Sequence, residues 1–200
     1  MKKLIVIISV FFCSVLCASA QNGDGFGYGA RVGVSLSDFT GSTGSGRAGF
    51  SGGAFVDYTI TRFGFELGVY YNGQGSLSVV ESGYAGNTVD YNLDYLNIQL
   101  LAKYQLFDGF RIFLGPEGGY LLSSTLKYDD NKEDIDYINK WDLGIAAGVG
   151  YSFSFGLDLS ASYTRGLFDM FETERTAYNS TFRVAVGWRF NYRELLKTGL

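Results

Sequence analysis

Between Gly25 and Phe190 apolar residues recur at every second position, the mark of β-strands with one apolar and one contrasting face, and no segment sustains a helical period. The first strand carries Phe26, Tyr28, Ala30, Val32, Val34 and Leu36 on one face, with Gly27, Gly29, Arg31, Gly33 and Ser35 on the other. Seven more segments obey the same rule, with apolar faces that include Val56 and Tyr58, then Phe65 and Leu67, then Ile98 and Leu100, then Ile112 and Leu114. The last three carry Ile145, Ala147 and Val149, then Leu159 and Ala161, then Val184, Val186 and Trp188. The pattern predicts eight strands. Their connections alternate in length: tight turns at 60–62, 107–109 and 154–156, and long polar links at 38–48, 73–88, 128–139 and 166–180. Short turns at one end and long loops at the other are the habit of an outer-membrane barrel, with the short turns in the periplasm.

Alternation alone does not say which face points outward, because a soluble barrel has the same period with its apolar face inside. The second face decides it. It is rich in glycine, including Gly53, Gly64, Gly68, Gly115, Gly119, Gly144, Gly148, Gly150 and Gly187, and glycine on a water-facing strand weakens it and fills no space. In a narrow closed barrel the missing side chains make room for the charged ones that must fit inside. The apolar face is also banded. Aliphatics lie in mid-strand, while Tyr58, Phe63, Tyr104, Phe110, Tyr151 and Trp188 cluster towards the short turns, and Tyr71, Tyr91, Tyr120, Trp141 and Tyr163 towards the loops. Two aromatic belts are expected of a lipid-facing wall. The expected fold is therefore all-β, an eight-stranded antiparallel transmembrane β-barrel of the outer-membrane type. In the fourth strand Val89, Tyr91 and Leu93 are odd-numbered whereas Leu96 onward is even, which predicts a β-bulge near Tyr95 or a switch where the strand leaves the membrane.

The inward face carries five acids, Asp57, Glu66, Glu117, Asp142 and Asp158, and five bases, Arg31, Lys103, Arg111, Arg183 and Arg189. Buried charges must pair or stay hydrated, so the balance predicts a lumen closed by a salt-bridge network. The alternative is a narrow ion path through the same charges, which the small bore of eight strands disfavours.

Composition narrows the chemistry further. The 200 residues include 28 Gly, 15 Tyr, 17 Phe and 2 Trp but no His, so Ser-His-Asp triads, Cys-His pairs and most zinc sites are excluded. The net charge of −4 and the lack of clustered Lys and Arg argue against a nucleic-acid partner. No cofactor or metal ligand set is read.

Residues 1–20 read as an export signal: Lys2 and Lys3, an apolar run over 4–16, and Ala18-Ser19-Ala20 as the cleavage signal. The barrel domain is then 21–190 and a short tail 191–200. Both cysteines, Cys13 and Cys17, fall in the leader, so the mature chain has no disulfide. Two strings carry weak motif resemblances. Residues 44–49 match a dinucleotide pattern in letters but do not join a strand to a helix, and read as a flexible loop. The acidic run 129–136 lacks the central Gly of an EF-hand and reads as a solvated loop. Phe168, Met170 and Phe171 form an apolar knot in the last long link.

The segment Leu93-Asp94-Tyr95-Leu96-Asn97-Ile98-Gln99-Leu100-Leu101 resembles the PorT-like outer-membrane β-barrel family of Bacteroidetes, and further similarity lies in Leu114-Gly115-Pro116-Glu117 and in Tyr163-Thr164-Arg165-Gly166-Leu167. Gln99 stands where that family usually has proline, and ten residues follow Phe190 where barrels commonly end in an aromatic. The resemblance implies a cell outer-membrane barrel. It leaves open envelope structure, loop display and assembly with secretion components, some members being tied to type IX secretion. The expected partners are outer-membrane lipid and lipopolysaccharide, the barrel-assembly machinery during insertion, and a protein at the extracellular loops. A narrow channel or small-ligand transport barrel is the alternative. A lipid-modifying or peptide-cleaving enzyme is disfavoured by the missing His.

Overall fold

A computed structural model describes residues 25–40, 45–80, 88–128, 131–134, 139–168 and 178–190; the leader, the tail and Met170 and Phe171 lie outside them. The strands are β1 (Phe26–Thr40), β2 (Ser45–Ile60), β3 (Phe63–Val80), β4 (Thr88–Phe107), β5 (Phe110–Tyr128), β6 (Asn131–Asp134), β7 (Trp141–Ser152), β8 (Leu157–Gly166) and β9 (Tyr178–Phe190). Each pairs antiparallel with its neighbours. β1 joins β9 and β4 joins β5, so β1 to β5 with β7 to β9 close into an eight-stranded barrel, while β6 is added to the upper part of β5. Closure leaves no unpaired edge in the membrane wall, the condition for a β-structure to cross lipid.

The even faces of β1, β4 and β9 and their equivalents point outward, as the alternation predicts. Val32 is 51% exposed, Leu114 57% and Val184 46%, values a water-soluble core would never show and lipid requires. Strand pairing places Tyr71, Leu96, Tyr120 and Trp141 in one row at the loop end. At the short-turn end Phe63 packs on Tyr104 at 4.7 Å between ring centroids and Tyr28 stacks on Phe190 at 5.3 Å.

Three sequence expectations are corrected. Among the described residues the long links are largely strand: β3 continues to Val80 and β4 starts at Thr88, with Ser76 paired to Tyr91 and Val80 to Thr88. Backbone pairing does not depend on apolar side chains, and polar Gly- and Ser-rich stretches above the membrane pair as well as the wall below. For the same reason residues 45–49 of the dinucleotide-like string belong to β2, and four residues of the acidic run form β6.

The parity change behaves as expected, with a register shift of β4 against β5 between Asp94 and Tyr95, and the third correction that it brings concerns Tyr91. β4 alternates without a break: Val89, Tyr91, Leu93, Tyr95, Asn97, Gln99, Leu101 and Lys103 are all buried inside. What changes is polarity. Above Tyr95 the outward residues are Asp90, Asn92 and Asp94 and the inward ones apolar, and below it the relation reverses. This is the switch at the membrane surface. The extra residue of the register shift, Leu122, belongs to β5. Tyr91 therefore leaves the aromatic belt and joins the interior, 1% exposed.

Candidate functional site

The inward residues form three storeys. The lowest, in the short-turn half, begins with Arg31 on β1. Its guanidinium forks onto Glu66, Nη1 to Oε1 at 2.5 Å and Nη2 to Oε2 at 3.0 Å, while Nε donates to Asp158 at 2.8 Å. Arg111 donates to the same Asp158 oxygen, Oδ1, at 2.9 Å and to Ser152 Oγ at 2.7 Å, and Ser152 in turn donates to the other oxygen, Oδ2, at 2.7 Å. Asp57 accepts from Arg189 at 2.5 Å and from Lys103, whose ammonium also lies 3.5 Å from Glu66. All seven charged residues are nearly inaccessible to solvent. Removing one partner from such a cluster strands the others, at a cost of about 3–5 kcal/mol.

Two aromatic side chains complete this storey. Phe55 and Tyr70 are 2% and 4% exposed; the Arg31 guanidinium lies 3.8 Å from the centre of the Phe55 ring and donates to the Tyr70 hydroxyl at 3.0 Å. Sequence reasoning missed both. The signal was present: Phe55 shares the parity of Asp57, and Tyr70 that of Glu66. Glycine supplies the room. A Cβ at Gly150 would stand 2.6 Å from the Arg111 guanidinium, one at Gly187 2.5 Å from the Arg31 stem, and one at Gly29 2.7 Å from the Phe55 ring.

The middle storey is an ion pair in an amide frame. Glu117 accepts from Arg183 at 3.2 Å, from Asn97 at 2.7 Å, from Thr164 at 3.1 Å and from Gln99. Arg183 Nε donates to Asn72 at 3.1 Å, and Asn72 donates to Asn97 at 3.0 Å. Gln99, where the resembling family carries proline, thus adds a donor to the lumen carboxylate.

The top storey departs from the expected pairing of five acids with five bases. Asp142 accepts a 3.4 Å bond from Asn179, and no cation pairs with it among the described residues. It lies opposite Gly119 in the register, two residues above Glu117 on the wall, beyond the storeys the arginines fill. Above it β4 and β5 fill the lumen with apolar side chains, Val89, Tyr91, Leu93, Tyr95 and Leu126, each at most 1% exposed, opposite the buried polar Gln74 and Ser76 of β3. Ser35 and Ser37 on β1 bond the backbone carbonyls of Gly73 and Gly75 on β3, two strands away, at 2.7 and 3.2 Å, so the wall pinches inward there.

Chemically, the arrangement obstructs. The hydroxyls that face carboxylates of the charge network, Ser152 on Asp158 and Thr164 on Glu117, are buried within it, and among the described residues no cluster of metal-ligand side chains is present. A family model described as "Outer membrane protein beta-barrel domain" matches residues 19–172. Among solved structures, Neisserial surface protein A is similar over 84% of this chain and 98% of its own, with 17% identity and a TM-score of 0.55. The attachment invasion locus protein Ail of Yersinia pestis is similar over 83% of this chain and 99% of its own, with 14% identity and a TM-score of 0.52. No curated protein matches.

Proposed function

The chain belongs to the outer membrane protein beta-barrel domain family and resides in the outer membrane, and from that premise we propose that it is a non-enzymatic, non-conducting barrel serving envelope structure, surface display or assembly with secretion components. The observation that carries this reading is the double obstruction of the lumen, by buried ion pairs below and by an apolar plug above. A transport barrel needs a hydrated path, and each storey would have to reorganise to give one. Within the family we place it beside the PorT-like members, on the support of the Leu93 to Leu101 segment. Lipopolysaccharide and inner-leaflet lipid are its proposed surroundings, the barrel-assembly machinery its inserter, and the strand extensions of β3, β4 and β5 its platform for a protein partner.

The test is electrical. Purified protein in a planar bilayer is expected to give no steady conductance; stable, ion-selective openings would replace this reading with the narrow channel.

A further inference from the structure

The ten inward charges balance in number but not in place. The lowest storey sets Arg31, Lys103, Arg111 and Arg189 against only Asp57, Glu66 and Asp158, the middle one sets Arg183 against Glu117, and the remaining acid, Asp142, stands apart near the loop end. The short-turn mouth therefore holds one uncompensated positive charge. A cavity of about 30 Å³ lies there, lined by Arg62 and Gly109 of the first two short turns and by residues near the strand ends. Four of the residues around it are cations, Arg62, Lys103, Arg111 and Arg189, and none is an acid. Thr59 adds a hydroxyl, while the proton of the other lining hydroxyl, Ser152, is held by Asp158. The carboxylates that pair with the buried cations are absent from its lining; at the rim Arg62, exposed in the turn after β2, is offset by Asp108, exposed in the turn after β4, so the local excess stays at one. A dry excess of positive charge is costly, and an anion is its natural complement.

We propose that this mouth is a binding site for a small oxyanion of the periplasm, phosphate in size and charge. Guanidinium and ammonium groups with an adjacent hydroxyl are the donors such an anion takes, in a setting of reduced dielectric where each charge-assisted bond strengthens. The site is a dead end, because the ion-pair storey and the apolar plug lie above it. It binds without transmitting, which separates it from a channel vestibule.

Inorganic phosphate is the probe, titrated by calorimetry into the full barrel in a phosphate-free, uncharged detergent. Saturable binding of one anion per barrel is expected, with a dissociation constant below about 10 mM. Two variants locate it. Arg62→Gln removes the rim cation without touching the buried network and is expected to weaken binding about tenfold. Gln105→Glu sets a carboxylate in the lining and is expected to abolish it. Heat-modifiable mobility on gels verifies that each variant is folded. A barrel that takes up no phosphate, or one whose two folded variants bind as the parent does, overturns the proposal.

Discussion

Gly29 and Gly118 sit on opposite faces of the wall, and the difference shows what glycine does in this molecule. A methyl group at Gly29 would come within 2.2 Å of the Trp188 carbonyl oxygen and 2.7 Å of the Phe55 ring, so strand β9 or the ring must move. At Gly118, which faces outward, nothing lies within 4 Å. Gly29→Ala is therefore expected to destabilise the barrel by about 1–3 kcal/mol, an overpacking cost, read from the urea midpoint of the vesicle-inserted protein. Gly118→Ala is expected to stay within about 0.5 kcal/mol of the parent in the same assay. Equal effects at both positions would show that glycine is used here for backbone freedom and not for room.

At the scale of the element, β4 is two kinds of strand end to end. Its lower part, from Leu96 to Phe107, turns apolar residues to lipid and Asn97, Gln99 and Lys103 inward; its upper part turns Asp90, Asn92 and Asp94 to water and packs Val89, Tyr91 and Leu93 inward. The alternation never slips, but the solvent changes from lipid to water at the level of Tyr95, and the polarity of each face changes with it. This explains how much was legible in the sequence. The wall, its register sense and the inward positions of the charges follow from parity. The plug does not, because a reading that equates apolar with outward sends Tyr91 to the wrong face once the strand leaves the bilayer. Phe55 and Tyr70 escape for a related reason: their parity places them inside, but the inward face is read from its glycines and charges alone. Leu93, fully buried, tests the plug. Leu93→Ala is expected to cost about 2–5 kcal/mol by urea unfolding and yet to leave planar bilayers silent, since the ion-pair storeys below remain.

For the whole molecule the decisive contrast is between an exterior that must be apolar and an interior that holds ten charges. Val184→Arg, in the middle of β9 and open to lipid, is expected to lower stability by about 2–4 kcal/mol in vesicles, although β9 already carries Arg183 and Arg189 on its inner face without harm. A cost near zero would mean that this part of the wall is not at bilayer depth. The Arg31 bonds carry a further consequence, for the order of assembly. Arg31 lies on the first strand, and its carboxylate Asp158 stands 127 residues later on β8; Arg189 and Asp57 are separated by 132. Contacts so distant in sequence form late. Until the seam between β1 and β9 closes, a partly inserted sheet would drag unpaired guanidinium groups into hydrocarbon. The network that seals the finished barrel thus penalises every unfinished one, and membrane entry becomes a single cooperative event in which hairpins gain nothing by crossing ahead of the rest.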